Sequence, residues 1–163
     1  MRQFRIAITF VALIVGMTAC GTLDTGDIAV PEKPQSVVNE RVAIMKNFAS
    51  AVTTSGQFAR GKTSIAAAKT KVATAVAGAE RLERLFPRGT ALGDRGVSDS
   101  RALSTIFANR SDFDAKLGAL ARALSNLETA LGPADKQRAG SAVAEVSKAC
   151  LACHARYRTP DDT

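Results

Sequence analysis

The chain has no tryptophan, one tyrosine, one histidine and only three cysteines in 163 residues. Each scarcity narrows what the protein is. Three Cys and one His allow a single four-ligand zinc cage, and that cage would need Cys20 to fold back from the far end of the chain. Aromatic residues make up 5%, too few for the packed faces of a β-sandwich. The formal charge is +7, yet the basic residues are scattered, with no dense Lys/Arg run and little aromatic interleaving. That pattern argues against nucleic-acid binding. What the chain has in quantity is alanine within a 46% hydrophobic composition, which suits Ala-rich helices in a single domain.

No apolar run reaches the roughly 20 residues that a bilayer-spanning helix needs. The longest, Ile6 to Ala19, follows Arg2 and Arg5 and reads as a signal peptide over residues 1–19. Its end, Met17-Thr18-Ala19-Cys20-Gly21, is similar to a bacterial lipobox, in which the cysteine becomes the acylated N-terminus. The other reading is ordinary cleavage beside Ala19 by signal peptidase I, with Cys20 incidental. Both export the protein to the periplasm or cell envelope of a Gram-negative-type bacterium. Loss of Arg2 and Arg5 leaves 20 basic against 15 acidic side chains, a balance of +5. Residues 20–35, polar and Pro-containing, read as a tether.

From Ser36 onward apolar residues recur in alternating steps of three and four, the period of an amphipathic helix. The first stripe is Val38, Val42, Met45, Ala49 and Val52, with Ser36 as N-cap. The second is Ile65, Val72, Val76, Ala79, Leu82 and Phe86, ending at Pro87. Residues 87–100 read as a long Gly-rich loop, and 101–108 as at most a short helical turn. The third stripe is Phe113, Leu117, Leu120, Leu124, Leu127 and Leu131, with Ser111 and Asp114 placed for a capping box. Gly132-Pro133 is read as the stop of that helix and the start of the next. The fourth stripe is Val143, Val146, Cys150, Cys153 and Tyr157. These patterns predict an all-α antiparallel four-helix bundle over residues 36–158, with 159–163 as a tail.

Cys150, Cys153 and His154 stand at i, i+3 and i+4, on one face of the last helix. Cys-x-x-Cys-His is the attachment signature of c-type haem. Two thiols one turn apart suit two thioether links along one porphyrin edge, and the adjacent imidazole suits a proximal iron ligand. A thioredoxin-type redox pair would need a strand-to-helix turn, and no strand is visible. A disulfide between the two cysteines is geometrically poor inside a regular helix.

The motif's place at the C-terminal end of a four-helix chain resembles the class II c-type cytochromes, the cytochrome c prime family. Tyr157 and Arg158 follow the histidine as in that family, and Leu85-Phe86-Pro87, Ala102 to Phe107 and Asp112-Phe113 are similar to its middle region. Phe107 stands where a Trp is common and Ser147 where Gly is usual. The resemblance implies covalent haem c on Cys150 and Cys153 with His154 as proximal iron ligand. The sixth coordination position falls four residues after an arginine on the first helix, which here is Met45 after Arg41. That implies the low-spin, methionine-ligated branch; the alternative for Met45 is flexible core filler. Arg41 and Arg158 then become candidate haem-edge contacts, Arg41 to a propionate, or else merely solvated. The functional expectation is a one-electron carrier, not an enzyme, meeting redox partner proteins and held to a membrane through lipid on Cys20. The alternative is a high-spin haem protein binding NO or CO. Family members often pair as homodimers.

Overall fold

A computed structural model describes residues 30–160. The signal peptide, Cys20 and most of the tether lie outside the described residues. Five helices carry the fold. Helix α1 is Pro34–Ala59, α2 is Ile65–Leu82 with a 3-10 turn at Glu83–Leu85, α3 is the single turn Thr105–Ala108, α4 is Arg110–Ala130, and α5 is Lys136–Tyr157. The four long helices close a ring: α1 packs on α2 and α5, and α4 packs on the same two. No helix among the described residues is long and apolar enough to cross a membrane.

Local chemistry explains where each helix begins, and corrects three of the expected starts. Proline opens α1, where its fixed φ and missing N–H cost nothing. Ser36 is therefore not the N-cap; it lies in the first turn and donates to the Lys33 carbonyl at 2.9 Å. Ser64 does cap α2, its Oγ accepting from the Ala67 amide at 3.2 Å. The capping box at Ser111 and Asp114 does not form. Asn109 precedes α4, and Asp114 instead accepts from Arg110 Nε at 2.8 Å, one turn back. Pro133 sits in the turn before α5 and does not start it. The start is set by Asp135, whose carboxylate accepts from the Gln137 and Arg138 amides at 2.9 and 3.0 Å.

The core is apolar and continuous. All six residues of the predicted α4 stripe, Phe113 through Leu131, are buried. On α1 the buried face is Val38, Arg41, Ile44, Phe48, Ala51 and Ser55. After Val38, which is buried, the predicted stripe is displaced from it: Val42, Met45 and Val52 are half-buried and Ala49 is exposed. Helix α1 thus has two apolar faces, and periodicity alone could not say which meets α2. Close approach there depends on Gly78, where a Cβ would come within 3.1 Å of Ile44 Cγ2.

Candidate haem site

The displaced face of α1 looks across a cavity of about 560 Å³ toward α5. Val42, Met45 and Ala49 line one side; Cys153, His154 and Tyr157 line the other. A second lobe of about 360 Å³ shares Met45, Ala49, Cys153 and His154, and adds Cys150 and Lys116. Regular helix geometry is what brings the motif together, because residues at i, i+3 and i+4 share a face. Cys150 and Cys153 are unbridged thiols. Burial pushes both up, Cys153 to about 11, so neither is a poised thiolate at neutral pH. Two thiols, one imidazole and one thioether thus border a mainly apolar slot between two helices. This donor set fits a covalently attached haem, with Cys150 and Cys153 to hold it and His154 to meet the iron.

The back of the cavity is an aromatic wall. Phe86 and Phe113 meet edge to face at 4.7 Å, and Phe113 and Tyr157 at 5.2 Å. Tyr157 donates its hydroxyl to Asp112 Oδ2 at 2.5 Å. That bond, with Lys116 and Arg156 nearby, holds the Asp112 carboxyl below its ordinary range. Burial and then the same bond push the Tyr157 phenol up. The pair fastens the last turn of α5, one turn beyond His154, to the start of α4. Tyr157 is therefore a support of the site as well as a member of the α5 stripe.

Part of the lining is basic. Arg41, Lys46, Arg101 and Arg158 belong to it, with Asp99 as the one acidic member. Arg41 is buried, not solvated, at 4% exposure. Burial lowers its pKa to about 10, so it stays charged at neutral pH. Arg158 ends α5, its amide donating to the His154 carbonyl at 3.2 Å. Sequence reasoning missed Arg101, which reaches the cavity from the long connection while bonded to Thr159. No helical period covers a loop residue, so no pattern pointed to it.

Comparisons with known proteins agree with this geometry. A family model described as Cytochrome C' matches residues 36–158. Cytochrome c' from Rhodobacter Spheriodes is 27% identical with a TM-score of 0.69, over 78% of this chain and 98% of that one. Cytochrome c prime from Shewanella frigidimarina is 24% identical at a TM-score of 0.69, over 80% and 99%. A nitric oxide complex of a leucine-to-alanine variant of the Alcaligenes xylosoxidans protein is 22% identical at a TM-score of 0.68, over 80% and 99%. Among functionally curated proteins none matches. With three-quarters of its length matched by the family model, the chain belongs to the cytochrome c' family.

Proposed function

We propose that the protein binds nitric oxide or carbon monoxide at a haem iron held by His154. As a member of its family it carries covalently attached haem c. The group supplies an iron that takes one electron or one axial ligand. The chain supplies two thioether anchors, the proximal imidazole and a dry slot. The observation that carries the reading is the apolar stretch of the α1 wall, Val42, Met45 and Ala49, which lies in the same lining as the charged Arg41 and Lys46. Those three side chains offer no charge and no hydrogen-bond donor, which suits a small apolar gas better than a polar substrate. The solved nitric oxide complex of the Alcaligenes xylosoxidans protein, which has the same fold, supports it.

A second reading has its own observation. Met45 lines both lobes that His154 lines, and it is the chain's one Met beyond the signal peptide. In that reading its thioether would close the iron's coordination sphere, giving a low-spin one-electron carrier. Two ligands of this kind favour reduced iron and need little rearrangement on electron transfer. In either role no organic substrate is turned over.

One experiment separates the readings. Reduced protein is mixed with carbon monoxide, and spectra are recorded for wild type and Met45→Ala. Gas binding predicts a high-spin reduced spectrum and ready carbon monoxide uptake in wild type. A low-spin spectrum, inertness to the gas, and uptake only in Met45→Ala would overturn it in favour of the carrier. Export by residues 1–19, a tether over 20–35 and lipid on Cys20 complete the proposal, and mass spectrometry of the mature N-terminus tests them. Arg41 and Arg158 are proposed as haem-edge cations.

A further inference from the structure

We propose that Arg41 is a positioning residue that sets the spacing of the two cavity walls, by tying α1 to the 87–104 connection that is itself stitched to the end of α5. The proposal deepens the haem reading and rests on it. Nη1 of Arg41 donates to the Leu85 carbonyl at 3.0 Å and to Thr90 Oγ1 at 3.3 Å. Nη2 donates to the Thr90 carbonyl at 3.0 Å and to Ser100 Oγ at 2.8 Å. The guanidinium also lies 4.5 Å from the centre of the Phe86 ring. All four acceptors are neutral. A buried cation held this way is costly to displace, because each donor would lose its partner away from water.

The connection continues the tie to the other wall. Ser100 Oγ donates to the Thr90 carbonyl at 2.8 Å, locking the two sides of the loop. Ala102 bridges Arg158 in antiparallel fashion. The Leu103 amide donates to the Tyr157 carbonyl, and the Thr159 amide to the Arg101 carbonyl, both at 2.9 Å. A continuous set of bonds therefore runs from one turn before Met45 to the turn just beyond His154. Thr90 and Ser100 are buried at 1% and 2% exposure, yet neither lines the cavity. Their polar groups serve the tie and not the pocket. The spacing it fixes governs how closely the Met45 turn of α1 approaches the His154 turn of α5.

Ser100→Ala separates positioning from direct contact, since Ser100 does not touch the cavity. In the haem-loaded protein, this variant is expected to speed hydrogen exchange at the Leu92 amide, which donates to the Ala102 carbonyl at 2.7 Å, and at the Leu103 and Thr159 amides. It should also change the carbon monoxide association rate by about fivefold, the low end of ordinary coupling between sites. Arg41→Lys, which keeps the charge but loses the fork, should do the same. Ser64→Ala, a cap loss on α2, is the control and should leave the gas rate unchanged. Unchanged exchange in Ser100→Ala would overturn the tie. Faster exchange with an unchanged gas rate and an unchanged reduction potential would overturn the positioning role. If wild type takes up no carbon monoxide, the gas reading fails alone, and the reduction potential and exchange data still decide the proposal.

Discussion

The two apolar faces of α1 look alike in sequence and do different things. Ile44 and Ala51 are buried in the core, Ile44 close against Gly78 of α2, whereas Val42, Met45 and Ala49 border the cavity. Phe48 lies between the two, near Gly78 and lining the second lobe. One face holds the bundle together. The other is apolar because of what it is to enclose. Substitutions on the first should be read in stability, and substitutions on the second in the haem spectrum and gas binding.

The largest expected effect removes the reason for the second face. Replacing both Cys150 and Cys153 by Ser should abolish covalent haem, seen as complete loss of haem staining on a denaturing gel. Next, Ile44→Ala should cost about 2–5 kcal/mol in denaturant unfolding of the haem-loaded protein, with the spectrum of the folded fraction unaltered, since Ile44 is buried and lines neither lobe. Met45→Ala should reverse that pattern: a smaller loss of stability, because Met45 is half-buried, with an altered carbon monoxide affinity. If Ile44→Ala shifts the spectrum as much as Met45→Ala, the two faces are not functionally distinct. Asp135→Ala, at the end of α5 far from His154, should cost about 1 kcal/mol through loss of its N-cap and leave the spectrum alone.

The smallest effect concerns pH. The folded protein holds Asp112 below its ordinary carboxylate range, so its contribution is fully present at neutral pH. It is lost as pH falls through the ordinary range toward the lowered value. Asp112→Asn should therefore lower the melting temperature slightly at neutral pH, flatten the acid limb of the profile, and change little below the lowered value.

How far the sequence alone reached follows the same division. The α4 leucine seam was legible because those side chains have only one place to go, the bundle interior. The motif at Cys150, Cys153 and His154 was legible because a helix turns adjacent spacing into a shared face. The Met45 stripe was legible as an inward face of α1, yet periodicity did not reveal that Ile44 and Ala51, one position away, form the more buried face. Two apolar faces one position apart give the same period. Helix starts were misread where a hydroxyl looked like a cap and a neighbour did the work: Pro34 displaced Ser36, Arg110 claimed Asp114, and Asp135 outbid Pro133. The loop contacts of Arg41 and Arg101 had no sequence signal, since they join residues dozens of positions apart.

The antiparallel bridge between Ala102 and Arg158 bears on the order of assembly. Contacts so distant in sequence carry a large closure entropy and form late, after local helices are in place. The wall beyond His154 therefore sets only after the helices that flank it. Until it does, the final helix and its two thiols stay reachable from outside, which gives attachment chemistry an open door that folding then shuts.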